Sequence, residues 1–108
     1  MPKTQFSIAE MFSRTPGARL RRHGPHSAQE LREEHLAPLI KDCVRKHLTL
    51  SVSLDGVEGF AASFLEEAFA GLVRCEGILK EDLQRTLEVT SQEIPSYRDE
   101  VLGFIEDV

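Results

Sequence analysis

An α/β fold is predicted for this chain: a central mixed β-sheet of about four strands with three to four helices packed on it. Two observations carry the prediction. Stretches of strict two-residue alternation, above all 48–54, are interleaved with stretches of helical apolar spacing, above all 63–74. Turn signals separate them at Thr15-Pro16-Gly17, His23-Gly24-Pro25 and Asp55-Gly56.

The first element spans 4–9, where Phe6 and Ile8 alternate with polar neighbours as in a half-buried strand. Thr15-Pro16-Gly17 turns the chain, because Pro presets φ and Gly permits positive φ. Residues 18–22 read as a short second strand pairing back on the first, which makes the sheet mixed. Ser27 then caps a helix, and Glu30 three residues on completes a capping box. Leu36, Leu39, Ile40, Cys43, Val44 and His47 follow at helical spacing. Pro38 lacks a backbone donor and clashes with the preceding turn, so a kink or two short helices are expected there.

Residues 48–54 are the clearest strand. Leu48, Leu50, Val52 and Leu54 point one way and Thr49, Ser51 and Ser53 the other. The small hydroxyls leave room for a helix packed closely over that second face. From 63 to 74, Phe64, Leu65, Ala68, Phe69, Leu72 and Val73 form one apolar stripe. Glu66 and Glu67 lie in its first turn, favourably placed on the helix macrodipole. Gly77 is the expected stop. Residues 79–83 read as a short helix and 86–90 as a third main strand. Pro95 opens a last helix with Tyr97, Val101, Phe104, Ile105 and Val108 on its stripe.

Composition narrows the class of protein. With 108 residues, 41% hydrophobic and 29% charged, a single soluble domain over 1–108 is expected. No apolar run is long enough for a membrane span, and the N-terminus lacks the apolar stretch of a secretory signal. Cys43 and Cys75 have no spacing kin, so free thiols and a cytoplasmic setting are expected. Cys43 falls on the apolar side of its helix; Glu76 beside Cys75 opposes a reactive thiolate. The histidines His23, His26, His35 and His47 are scattered, and no metal or cofactor is expected. Phosphate-loop, zincin and nucleophile-elbow motifs are all missing, so no enzyme is expected.

The net charge of -5 is unevenly spread. Residues 1–49 hold nine basic and five acidic side chains, and residues 50–108 hold four and thirteen. Two differently charged faces, suited to orienting a partner, are the expected consequence. Nucleic acid and membrane are not expected as partners. The alternative reading makes Arg14, Arg19, Arg21 and Arg22 a site for a small anion or nucleotide, or for nucleic acid. Only Phe12 stands near them, a poor stacking platform for bases.

The most specific stretch runs Ser53-Leu54-Asp55-Gly56-Val57, through a loop, to Ser63-Phe64-Leu65-Glu66-Glu67-Ala68-Phe69-Ala70-Gly71-Leu72. It resembles the STAS-like family, related to the STAS domains of sulfate transporters and anti-sigma factor antagonists. Pro16-Gly17-Ala18-Arg19 resembles the family's early Pro-Gly-x-Arg, and Ser27 to Arg32 resembles its Ser-Gly-x-x-Phe-Arg helix start. The likeness covers nearly the whole chain. It implies a STAS-like fold and a regulatory protein–protein interaction module in bacterial signalling. In the antagonists, the loop and helix after the central strand dock on a kinase-type ATPase, and a phosphorylated serine at that helix start breaks the complex.

On that resemblance, Asp55, Glu58, Phe60, Ser63 and Glu67 are the candidate interface or switch residues. The chain departs from the switch pattern: Ala61-Ala62-Ser63-Phe64 stands where antagonists read roughly Asp-Ser-Ser/Thr-Gly, placing Ala62 on the acceptor position. Ser63, one residue later, is the remaining candidate phospho-acceptor; its alternative role is the N-cap of its helix. Glu67 is either functional or a solvated partner of the helix dipole. Asp55 either meets a partner or closes an Asp-Gly turn. Phe60 either plugs the core or anchors a partner. Arg19 and Arg32 either bind an anion or partner carboxylate or pair with Glu30, Glu33 or Glu34.

Overall fold

The computed structural model describes residues 3–108. Three strands, β1 (Lys3–Ser7), β2 (Thr49–Ser53) and β3 (Leu87–Thr90), form one parallel sheet with β2 in the middle. Between β1 and β2 come the single turn α1 (Ile8–Met11), a 3-10 turn (Arg21–His23) and the long helix α2 over 28–46. Between β2 and β3 lie α3, over 62–74, and α4 (Lys80–Thr86); α5 (Pro95–Asp107) follows β3. Each strand-to-strand connection passes through helix, as parallel pairing requires.

The sheet therefore has three parallel strands, where a mixed sheet of about four was expected. Residues 18–22 form no strand because their backbone groups are used elsewhere. The Ala18 and Arg19 carbonyls accept the N–H groups of Ala28 and Gln29 at 2.9 and 3.1 Å. Ser27 Oγ accepts the Glu30 N–H at 3.0 Å. The first turn of a helix leaves such donors unpaired; the 18–19 segment and Ser27 supply their acceptors. Gly17 is needed in this arrangement, since a Cβ there would strike the Pro25 carbonyl. β1 also ends before Ile8. Ser7 Oγ caps α1 by accepting the Glu10 N–H at 3.3 Å, and Ile8 enters the core from a helical turn.

All the long helices lie on one face of the sheet. Phe6, Leu50, Val52 and Val89 face them and are buried with Leu31, Ile40, Phe64, Leu65, Phe69 and Leu72. The opposite face carries Gln5, Ser7, Ser51, Ser53, Glu88 and Thr90, which line a shallow open depression of about 330 Å3. No described element covers it, so the small hydroxyls that left room for a helix face outward. Parallel sheets are usually covered on both faces. Among the described residues no helix is long and apolar enough to cross a membrane.

Neither α2 nor α3 is uniform. In α2 the Ala37 N–H bonds back to the Arg32 carbonyl, and in α3 the Gly71 N–H bonds to that of Glu66. These five-residue closures define π turns at Arg32–Leu36 and Glu66–Ala70. In α2 the apolar pattern demands the extra residue. Ala28, Leu31 and Arg32 are buried, and the next buried pair is Leu36 and Ala37, five residues on. The wide turn also sits just before Pro38, whose ring would clash with the carbonyl four residues back in a regular helix interior. The change in winding expected at Pro38 is thus seen as a wide turn over Arg32–Leu36, after which the regular segment Ala37–Lys46 begins with the proline in its first turn.

Candidate functional site

The densest polar constellation joins α2 to α3. Arg32, on the π turn of α2, is only 4% exposed, and Glu67, on the π turn of α3, only 6%. Their side chains form a direct ion pair. Arg32 Nη1 also donates to the Glu67 backbone carbonyl at 3.0 Å, and its Nε donates to Glu76 Oε2 at 3.0 Å. On the outer side, Arg19 Nε donates to Glu67 Oε1 at 2.8 Å, and Arg74 binds Glu66 with both terminal nitrogens at 2.7 and 3.2 Å. Among the described residues no buried side-chain nitrogen or oxygen lacks a partner.

Burial alone would push the Glu67 carboxyl up. The bonds from Arg19 and Arg32, and their charges, outweigh it and hold Glu67 below the usual carboxylate range. Burial likewise opposes the Arg32 charge, and its bonds to Glu76 and Glu67 more than restore it. Glu67 is therefore an ionised, internally bound carboxylate and not the solvated dipole partner its first-turn position implied.

Arg19 and Arg32 thus meet carboxylates of this chain. Their main partners are Glu66, Glu67 and Glu76 on and beyond α3, and not Glu30, Glu33 or Glu34; the Arg32–Glu33 contact is a looser 3.6 Å. Arg21 is paired too, with Glu33 at 3.1 Å and Glu34 at 2.7 Å. Bases of the first half are interleaved here with acids of both halves, so the expected separation into a basic and an acidic face does not hold at this surface. The net charge lies elsewhere: residues 80–108 hold three basic and eight acidic side chains.

The other candidates gather at the carboxyl ends of the strands. Asp55 is a tie between loops. Its carboxylate accepts the backbone N–H groups of Gln92 and Glu93, both at 2.9 Å, and Glu93 Oε1 accepts the Gly56 N–H at 2.8 Å. Phe60 is half-buried, with its ring 5.6 Å from Phe64 and 5.4 Å from Tyr97, and its N–H donates to the Tyr97 hydroxyl. It belongs to the edge of the core and is not an exposed anchor. Glu58 is exposed, and its backbone N–H donates to the Arg14 carbonyl at 2.9 Å.

Ser63 is exposed in the first turn of α3. The N-cap position falls on Ala61 and no side chain caps the helix, so the capping role expected of Ser63 is not the observed one. With Ala61 and Ala62 also exposed, this turn presents a small, accessible surface next to Glu58 in the chain.

Gly71, Glu66, Glu76 and Arg74 were not among the site residues expected from sequence. Gly71 is part of the network through what it lacks: a Cβ there would lie 2.7 Å from Arg32 Nη1 and 2.9 Å from its Cδ. A glycine inside an apolar helical stripe was the available signal, since it costs about 1 kcal/mol against alanine without a packing reason. Among the described residues no three His, Cys, Asp or Glu side chains come together as a metal site needs. Cys43 is buried in the core and Cys75 is exposed.

Fold and site together define a small two-layer α/β module, with helices on one sheet face and an ion-paired joint between its two longest inner helices. The chain belongs to the family described as the STAS-like domain of unknown function, whose model matches residues 27–96. That match includes Arg32, Asp55, Ser63, Glu67 and Gly71. No curated protein and no solved structure matches the chain.

Proposed function

We propose that this chain is a non-enzymatic regulatory module of the cytoplasm that binds a protein partner through the loop after β2 and the first turn of α3. The antagonist resemblance makes a kinase-type ATPase the leading partner class. The observation that carries the reading is the state of Ser63: exposed, in the first turn of a 13-residue helix, and without a capping bond. The charged residues around the α2–α3 joint hold the module together, which leaves Glu58 and the 61–63 turn as the part of this region that faces outward.

Phosphate on Ser63 would add about -1.5 to -2 charges to that surface, beside Glu58 and a half-exposed Glu66. A helix N-terminus tolerates the anion, so α3 would stay folded while a complementary partner is repelled. The test uses the intact chain as bait in lysate of its native cell, as wild type, Ser63→Ala and Ser63→Asp, with bound proteins and Ser63 phosphate read by mass spectrometry. A partner held by wild type and Ser63→Ala but released by Ser63→Asp supports the reading. Equal retention of that partner by all three refutes the switch.

A further inference from the structure

The two edges of the sheet are not alike. The Leu54 N–H donates to the Thr90 carbonyl at 2.9 Å. Backbone groups alternate in direction along a strand, so Leu50, Val52 and Leu54 turn theirs to β3, while Ser51 and Ser53 turn theirs to β1. In a parallel pair, only one of two registered residues directs its groups at its opposite. Val89, registered with Val52, therefore turns its N–H and carbonyl outward from β3. Gln5, registered with Ser51, turns its own outward from β1. Val89 is only 3% exposed, so the β3 edge is closed over. Gln5 is exposed, and among the described residues no turn or loop backbone group bonds to its N–H or carbonyl. The open edge is β1. Such an edge is a template for another strand, and folded proteins blunt it with proline, a bulge, charge or a covering element. The centre of β1 has none of these: it pairs with β2 residue for residue over Lys3–Ser7, and its one charged residue is the first.

The strand is also complementary to itself. Laid antiparallel across a two-fold axis at Gln5, every residue of β1 finds an opposite: 3 with 7, 4 with 6 and 5 with 5. The outward groups then meet in hydrogen-bonded register. The two Gln5 residues exchange both their N–H···O bonds, and each Ser7 N–H reaches the carbonyl of residue 3 across the axis. The single charge of β1 falls opposite a serine, so no like charges meet. Gln5 lines the uncovered sheet face, and there the two Gln5 amides stand opposite each other, each with donors and an acceptor. We infer that β1 is a self-association edge, through which two copies of this chain pair antiparallel into one continuous sheet, three strands from each. Because only one edge is open, the assembly closes at two copies. The five-residue edge spans about 16 Å, so association is expected in the micromolar range. This inference stands apart from the proposed partner: the two-fold directs the two 61–63 turns to opposite ends of the sheet, and both stay outward.

The experiment is sedimentation equilibrium on the intact chain up to about 0.5 mM, a range that covers weak specific pairing, with amide hydrogen exchange at low and high concentration. The wild type should pass from monomer to dimer as concentration rises, and exchange at the Gln5 and Ser7 amides should slow with it. Gln5→Lys changes an exposed side chain and sets two like charges opposite each other on the axis, so the dimer should weaken by roughly fivefold. Gln5→Pro removes the outward N–H, a change that an edge strand accommodates, and should leave a monomer. A wild type that stays monomeric throughout overturns the inference. So does a dimer whose Gln5 amide exchanges no slower, or one that Gln5→Lys leaves as tight as before. Should Gln5→Pro not fold, Gln5→Lys decides alone.

Discussion

Gly71→Ala should destabilise the protein, although helix propensity alone predicts the reverse. Alanine in place of glycine inside a helix is worth about 1 kcal/mol. At this position the new Cβ would lie 2.7 Å from Arg32 Nη1 and 2.9 Å from Cδ, closer than real Cβ contacts come. Something must shift, and Arg32 is not a free end. It is 4% exposed and bound to the Glu67 carbonyl, the Glu67 carboxylate and Glu76. Displacing it breaks a buried pair and leaves Glu67 only its outer cations, Arg19 and Arg74, a loss of about 3–5 kcal/mol. The net effect is about 2–4 kcal/mol of destabilisation. At about 4 °C per kcal/mol for a chain of this size, the melting temperature falls by roughly 8–16 °C. Urea denaturation followed by circular dichroism measures it. The same substitution in an Arg32→Met background should be neutral or stabilising, because the uncharged, flexible side chain can yield. A Gly71→Ala variant that gains stability, or that behaves alike in both backgrounds, would refute the reasoning.

Stability should fall in acid in a way that depends on Glu67. Its folded carboxyl titrates below the ordinary value of about 4.3, so it binds fewer protons folded than unfolded in that interval. Its contribution is complete above that value and lost as pH drops through the folded one. Urea midpoints between pH 6 and pH 3 should show a shallower decline for Glu67→Gln than for wild type; parallel curves would contradict the assignment. Asp55→Ala removes the acceptor of two backbone N–H groups and should cost about 1–3 kcal/mol. Hydrogen exchange at Gln92 and Glu93 should rise, and unchanged protection there would show that Asp55 ties nothing. Ser63→Ala should leave stability within about 0.5 kcal/mol of wild type, as surface substitutions do. A loss near 1 kcal/mol would instead restore the capping role.

Most of the architecture was legible because it rests on local pattern. The alternation of Leu50 and Val52 with Ser51 and Ser53 placed β2, and Ser27 with Glu30 placed the start of α2. Pro95 likewise marked the first turn of α5. The fourth strand was misread because residues 18–22 satisfy their backbone through the N-terminus of α2, a tertiary choice that no local period encodes. The uncovered sheet face escaped for a related reason. Small hydroxyls opposite a core face fit both a close helix and open water, and only the placement of every helix on the other side decides between them.

The site shows a sharper version of the same limit. Arg19, Arg32 and Glu67 were singled out by the resemblance, yet their partners lie 35 to 48 positions away in the chain and could not be paired by spacing. Once paired, they change what the resemblance marks. Gly17 lets the 18–19 carbonyls reach α2, Arg19 and Arg32 reach across to α3, and Gly71 admits Arg32 against the helix. These motif residues build one joint between α2 and α3. The positions that the resemblance marks at Arg19, Arg32 and Glu67 therefore act inside the module, and not on a partner's surface.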